Sequence, residues 1–292
     1  MDYRQLGDYT VPIVKILVPV KQVPESSNVK MDAAAGTVIR TGVETVVNPL
    51  DLYAVETALR LKEQYGAEIT AISMGPPSAM RVLREAAAMG CDSCALLSDR
   101  RFGGADTWAT SYTLSRAAVK LGPFDLIITG ERATDGDTAQ VGPGLAAWLD
   151  IPALTYVSKI EKIERYRVGP EDGQIHAERG RIRLMRLTEE GYEMLDAALP
   201  CLVTVVKEIA VPRLPTLKGK IRSMKMDIPV FSADDLDLNH EYIGAGGSPT
   251  RVVKIETPSV SRGGRIIHVK DEESLAFAVD ELMALLTEKG IV

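Results

Sequence analysis

Short apolar runs alternate with helical stretches through the first half of this 292-residue chain, and that alternation constrains its fold most strongly. Ile13 to Val20 is mostly β-branched and apolar and reads as a buried strand, and Ala67 to Ser73, Ser93 to Leu97, Leu126 to Thr129 and Ala153 to Val157 read as four further strands. Between them lie amphipathic helices. Asn48 suits an N-cap, Pro49 the first helical position and Asp51 the positive end of the helix dipole, with Leu52, Val55, Ala58 and Leu59 on one face. A second helix turns Val82, Leu83, Ala86 and Ala87 inward and stops at Gly90; a third runs from Thr107 to Leu121 and is closed by Gly122-Pro123. A hairpin is expected from Val29-Lys30-Met31 and Thr37 to Arg40 around Ala35-Gly36. The order predicts an α/β protein: an open, mostly parallel sheet flanked by helices and joined by right-handed crossovers.

The connection after the fourth run organises the rest. It reads Gly130-Glu131-Arg132-Ala133-Thr134-Asp135-Gly136-Asp137-Thr138-Ala139-Gln140-Val141-Gly142-Pro143, and a helix with Val141, Leu145, Trp148 and Leu149 on one face follows. Strand, glycine-bearing loop and helix start make an anion cradle, because loop amides and the helix N-terminus both carry partial positive charge. In open α/β sheets, ligands sit beyond the carboxyl ends of the strands, where this loop lies. The plain alternative is an ordinary connection. Asp135 and Asp137 pose a puzzle, since carboxylates repel phosphate; Arg132 is available to offset them, and Thr134, Thr138 and Gln140 offer uncharged donors. Pro143 fits the first helical position, which would leave the amides of 137–142 for a ligand. Neither the dinucleotide fingerprint nor the P-loop pattern is present.

The period changes after about residue 158. Lys159 to Arg167, Gly180 to Leu187 and Leu202 to Val206 are expected as an added antiparallel part. From Pro212 regular patterning fades, Gly244 to Gly247 reads as a joint, Val252 to Glu256 as a lone strand, and Asp271 to Lys289 as an amphipathic helix. Residues 1–211 are therefore read as the α/β domain and 212–292 as a long C-terminal arm lying on another chain. Net charge is −6 and aromatic content 5%, which argues against a nucleic-acid partner or an anionic membrane surface. No apolar run is long enough to span a membrane and Met1 to Thr10 does not resemble a signal peptide, so a cytoplasmic protein is expected. Cys91, Cys94 and Cys201 are too few for a disulfide framework, and His176, His240 and His268 are scattered, so no metal is expected.

Lys15-Ile-Leu-Val-Pro-Val-Lys-Gln22, Asn48-Pro-Leu-Asp51, Arg84-Glu-Ala-Ala-Ala-Met-Gly90, the organising loop, Arg186 to Leu195 and Pro200 to Thr204 together resemble the β subunit of electron transfer flavoprotein, over almost the whole chain. Departures are Leu184, Glu190 and ten additional leading residues. The resemblance implies a heterodimer whose α subunit carries an electron-shuttling FAD. In the β subunit it implies an adenine nucleotide lined by Pro19, Asn48, Pro49, Leu50, Asp51, Met74 and Gly130 to Val141. In ordinary members that nucleotide is structural AMP; in flavin-bifurcating members it is a second FAD reduced by NADH. Asp135-Gly-Asp-Thr-Ala-Gln-Val-Gly-Pro143, Met74-Gly-Pro-Pro77 and Leu97 to Trp108 resemble the bifurcating group, with Phe102, Gly103 and Gly104 as a loop for flavin or nicotinamide. Such a protein oxidises NADH and sends electrons to ferredoxin or flavodoxin and, through the α-subunit FAD, to a flavin dehydrogenase or quinone oxidoreductase. The basic stretch from Pro212 to Met226 resembles the family's recognition loop, with Leu217 as apolar anchor and Lys218, Lys220 and Arg222 as charged surround; without the resemblance it reads as a solvated lysine-rich loop.

Overall fold

A computed structural model describes residues 14–25, 31–32, 37–38, 44–164, 167–171, 174–178, 180–253 and 266–292. The principal sheet has nine strands: β1 (Lys15–Pro19), β2 (Glu68–Met74), β3 (Ser93–Leu97), β4 (Leu126–Gly130), β5 (Ala153–Glu164), β6 (Arg181–Thr188), β7 (Gly191–Ala198), β8 (Cys201–Val205) and β9 (Val230–Phe231). Their spatial order is β7-β6-β5-β8-β4-β1-β2-β3-β9. Strands β5, β8, β4, β1, β2, β3 and β9 pair in parallel with their neighbours in that order, and β6 pairs antiparallel with β5 and with β7.

Both faces are covered. Helices α1 (Pro49–Tyr65) and α2 (Met80–Met89) bury Ala54, Val55, Leu83 and Ala86 against Ile16, Val18, Ile69 and Ile128. Helices α3 (Thr107–Leu121) and α4 (Val141–Leu149) bury Tyr112, Ala117, Leu145 and Ala146 against Leu17, Ile72, Ile127 and Leu202 on the opposite face. Successive β1 residues therefore feed alternate cores, as the strand period requires. A ribbon of Gln22–Pro24 and Thr45–Val47 returns the chain from the carboxyl end of β1 to the start of α1. Met31–Asp32 pairs with Thr37–Val38 as the hairpin reading expects; the remaining residues of that reading lie outside the described ones.

Three readings need correction. Leu202 to Val206 is not an antiparallel strand with a charged face: β8 is buried at every position and pairs in parallel with β4 and β5. Its continuous apolar run is the mark of a strand covered on both sides. Ala153–Val157 and Lys159–Glu164 are one strand, β5, with register shifts near Tyr156, whose φ is 57°. Its first part pairs with β8 and its outer part with β6. Arg167 belongs instead to a separate pair, Arg167–Glu171 with Gln174–Glu178. Arg251 to Val253 is irregular, and the rest of the lone strand expected there lies outside the described residues.

Residues 1–253 form one compact unit and 254–292 a second. Residues 212–253 thus lie along the sheet domain. Helix α5 (Leu217–Lys225) sits on α2, β9 covers the edge of β3, and Ile228, Ala233, Leu236 and Ile243 are buried. Isolated anchors replace a periodic face here: Arg101 bridges Asp99 and Asp234, Arg116 pairs with Asp237, and Tyr112, Trp108, Trp148 and Tyr242 pack ring against ring. The second unit contains helix α6 (Glu272–Glu288), capped reciprocally by Asp271 and Ser274, with no buried residue; Leu275, Val279, Leu282 and Leu285 are each about half exposed. No helix among the described residues is long and apolar enough to cross a membrane.

The central position of β8 has a measurable consequence. Leu202→Ala is expected to destabilise the protein by about 2–5 kcal/mol. Tyr192→Ala, on the exposed edge strand, is expected to stay within about 0.5 kcal/mol. Urea unfolding of both variants checks this; a small effect at Leu202 would place β8 at the periphery.

Candidate functional site

Strand β1 is the switch point of the sheet. From it the chain proceeds through β2 and β3 on one side, then crosses to β4 and β8 on the other. The segment after β1 leads to α1 on one face, and the loop after β4 leads to α4 on the other. Their divergence opens a crevice at the carboxyl ends of β1 and β4, the general ligand position of such sheets. Pro19 and Gly130 end the two strands, and Met74 ends the neighbouring β2 on the same face as Pro19.

Asn48 ties the crevice together. Its position fits the expected N-cap, but its side chain makes no capping bond. Fully buried, it donates from Nδ2 to Asp51 Oδ1 (2.9 Å) and to the Arg132 carbonyl (2.9 Å), and its Oδ1 accepts the Thr134 amide (3.2 Å). Its own amide donates to the Lys21 carbonyl at 2.8 Å. Only a side chain with both donor and acceptor can make this set. Asp51 accepts the Lys21 amide at 2.7 Å and the Gly130 amide. Burial raises its pKa from 3.8 to about 7, against the lowering effect of the hydrogen bonds from Asn48, Lys21 and Gly130. A Cβ on Gly130 would stand 2.7 Å from Asp51 Oδ1 and 2.8 Å from the Leu50 carbonyl oxygen, so this glycine is required by close approach.

The acidic residues of the loop are internally paired. Lys21 Nζ reaches Asp135 Oδ1 at 2.6 Å, and the Arg132 guanidinium lies 3.1 Å from Glu131 and 3.0 Å from Asp137. Lys21, two residues past β1, has no loop-like sequence signal. The turn closes through the Asp137 amide on the Ala133 carbonyl (2.8 Å), so that amide is already used. Left-handed backbone falls on Asp137 (φ 52°) and Ala139 (φ 54°), not on Gly136, whose Cβ direction is open space. Ala in that region is strained, which occurs where surrounding structure or function over-determines the conformation. Helix α4 starts at Val141, so Pro143 is its third residue rather than its first; a missing N–H still falls among the first-turn amides that lack helical acceptors. Among the described residues, no acceptor meets the amides of Thr138, Ala139, Gln140, Val141 or Gly142. Gln140 accepts from the Thr107 hydroxyl at 2.8 Å, fastening the loop to the start of α3. Gly142 lets α4 press on the sheet: a Cβ there would lie 2.8 Å from Thr204 Cγ2 and 2.9 Å from Thr129 Oγ1, a buried hydroxyl without a partner.

The structure does not gather every expected residue into the crevice. Phe102 is a core residue packed with Leu97 and Ala233. The glycines beside it accommodate the chain's own turn: the Gly103 carbonyl accepts the Ala245 amide at 2.9 Å, and a Cβ on Gly104 (φ 71°) would meet Ala245 Cβ at 2.9 Å. Cys91, Cys94 and Cys201 are buried, and burial pushes the Cys94 and Cys201 thiols up to about 12. Leu217 begins α5 and is 76% exposed, with Lys218 and Lys220 exposed beside it. It is not alone: Leu214, Ile221 and Met224 are also exposed, and 217, 221 and 224 share one helical face. Arg222 points its guanidinium at carbonyls of α2, not at the surround of Leu217.

The electron transfer flavoprotein domain family matches residues 35–236. A protein of Thermoanaerobacterium thermosaccharolyticum named electron transfer flavoprotein subunit beta is 42% identical over 270 residues, covering 92% of this chain and 98% of the relative. The Megasphaera elsdenii protein of the same name is 41% identical, covering 96% and 100%. An Acetobacterium woodii protein named caffeyl-CoA reductase-Etf complex subunit CarD is 40% identical, again covering 96% and 100%.

Two outcomes are expected from the crevice. Asn48→Ala removes the ties to residues 132 and 134, so the gel-filtered protein should retain less than about a tenth of any nucleotide the unsubstituted protein holds, consistent with losing two hydrogen bonds of roughly 1 kcal/mol or more each. Nucleotide content by absorbance and chromatography decides it. Asp51 holds its proton in the folded state up to about pH 7 but only to about 3.8 when unfolded. Its protonated form therefore contributes stability that is fully present below 3.8 and is lost as pH rises through 7. Asp51→Asn should flatten that part of the pH dependence of the thermal midpoint between pH 5 and 8; an unchanged slope would show that Asp51 is ionised throughout.

Proposed function

The chain belongs to the electron transfer flavoprotein family as a β subunit, and on that premise we propose that it holds an FAD in the crevice between β1 and β4. The observation that carries this reading is the loop between β4 and α4. Five consecutive amides without internal acceptors, at the start of a nine-residue helix, suit the pyrophosphate of a dinucleotide. The open space beside Gly136 leaves room for a ligand along the loop, and the pairing of Asp135 and Asp137 with Lys21 and Arg132 reduces the repulsion that free carboxylates would exert. Pro19 and Met74, at the ends of adjacent strands, wall the adenine. Asn48, Asp51 and Gly130 act behind the loop, fixing its backbone.

When bound, the FAD supplies acceptance of an electron pair from NADH and release of single electrons. The β subunit's own part is to hold the cofactor against a rigid crevice and to present docking surfaces. The pattern from Asp135 to Pro143, similar to that of flavin-bifurcating members, supports a second FAD rather than structural AMP. One acceptor is then ferredoxin or flavodoxin, and the other is reached through the FAD of the α subunit. The name of the Acetobacterium woodii relative supports a flavin reductase or dehydrogenase acting on acyl-CoA compounds as that second partner; a quinone oxidoreductase is the alternative. The exposed apolar residues of α6 support the unit 254–292 as the arm that engages α, and the exposed face of α5 supports docking of the dehydrogenase through Leu217, Lys218 and Lys220.

The second reading is an ordinary member with AMP in the crevice. The same phosphate-suited amides favour it, since AMP needs no more than they offer. Denaturing the purified heterodimer and quantifying released nucleotides separates the two. Two FAD per heterodimer is the expected result; one FAD and one AMP overturns the bifurcating reading.

A further inference from the structure

Helix α5 is fixed to α2 by an exchange of caps. Arg222, near the carboxyl end of α5, donates from Nη2 to the Ala87 carbonyl (2.7 Å) and the Cys91 carbonyl (3.1 Å), at the end of α2. Arg84, on α2, donates from Nη1 to the carbonyls of Ser223 and Met226, at the end of α5. Each arginine thus satisfies terminal carbonyls of the other helix and places its charge at the negative end of that helix dipole. Gly219 lies between them against Ala88: a Cβ there would fall far inside contact distance of the Ala88 carbonyl oxygen. Upstream, Arg213 forks onto Glu56 of α1 at 2.7 and 3.0 Å and also pairs with Glu63. Burial opposes ionisation of Glu56, but its bonds with Arg213 and Arg60 outweigh it and hold its pKa below the usual range. The segment is gripped on its inner side at both ends. Leu214, Leu217, Ile221 and Met224 are left outward, beside Lys218, Lys220 and Lys225, which make no ion pair among the described residues.

We infer that Arg84, Gly219 and Arg222 are positioning residues for partner docking: they hold α5 as a preformed helix so that four apolar side chains and three lysines meet the electron partner as one surface. The inference rests on the docking reading of Leu217. The matching partner surface is an apolar groove bordered by carboxylates, because buried leucine and methionine supply the attraction and the lysines select the charge of the rim. A preformed helix spares the ordering cost of docking, so loosening it weakens association without touching electron transfer within the bound complex. Arginine suits the task because the two N–H groups of one nitrogen in its planar guanidinium point in fixed directions and meet two carbonyls at once, whereas a lysine ammonium rotates freely on a flexible stem.

The test uses the intact heterodimer with an acyl-CoA-type flavin dehydrogenase as acceptor, at varied dehydrogenase concentration. Arg222→Ala should raise KM for the dehydrogenase about fivefold, with kcat within about twofold, and Arg222→Lys should fall between it and the unsubstituted protein. Gly219→Ala should act in the same direction. Because Arg222 acts by presenting Leu217 together with Leu214, Ile221 and Met224, the double variant Arg222→Ala/Leu217→Ala should lose less than the two single losses multiplied together. Additive losses, or an unchanged KM for Arg222→Ala where Leu217→Ala raises it, overturn the inference and leave the docking reading intact. An unchanged KM for Leu217→Ala overturns the docking reading. A second measurement does not depend on the dehydrogenase. Amide hydrogen exchange of residues 219–225 in the heterodimer should quicken on the order of tenfold in Arg222→Ala, with nucleotide content retained. Unchanged exchange there overturns the positioning role whatever the docking result.

Discussion

The candidate site depends on one buried side-chain amide. Asn48 joins three pieces of chain that the sheet topology brings close but does not itself connect: the end of β1 through Lys21, the start of α1 through Asp51, and the loop after β4 through residues 132 and 134. The amide is fully buried, its bond to Asp51 is shielded from water and those to Arg132 and Thr134 partly so, and losing any of them strands a polar group. Asp51 and Gly130 complete the arrangement, the carboxyl by filling the space beneath the loop and the glycine by leaving it.

Charge pairing then sets what the loop can face. A segment with Glu131, Asp135 and Asp137 ought to repel an anion, yet each carboxylate is met by Lys21 or Arg132, and the unpaired groups are amides. These ion pairs are largely exposed, and their contribution to stability is small. Their effect is on the local field: two cations against three carboxylates leave one net negative charge on the loop, far less than unpaired carboxylates would put around the positive end of α4. The left-handed backbone at Asp137 and Ala139 shapes the same rim and is held by the Asp137–Ala133 turn on one side and the Gln140–Thr107 contact on the other.

Residues 212–253 show a different economy. They carry no continuous apolar face, and their attachment is by single contacts: arginines onto carbonyls and carboxylates, one short strand on an exposed edge, and three aromatic rings packed around Tyr242. Such contacts consume few buried residues and leave the outer side chains free, which is how α5 can be firmly seated and still expose Leu217, Ile221 and Met224 beside its lysines.

The parallel core was legible in the sequence because buried strands and amphipathic helices advertise themselves by period: β3 and α3 have the bounds the pattern predicts, and the crevice follows from strand order at β1 and β4. The placement of the Gly130–Val141 loop between a strand and a helix start was legible for the same reason, since both are local features. What periodicity cannot express was decided only by the tertiary structure. The pairing direction of β8 depends on which neighbours it meets, and the attachment of 212–253 depends on contacts between residues more than a hundred positions apart. The need for glycine at position 130 was likewise decided by packing, because only the folded chain brings Leu50 and Asp51 against its α-carbon. Asn48 marks the division most clearly: its position before Pro49 identified a helix start, but whether its amide would cap that helix or bind a loop 84 residues away was fixed by the distance between them in space.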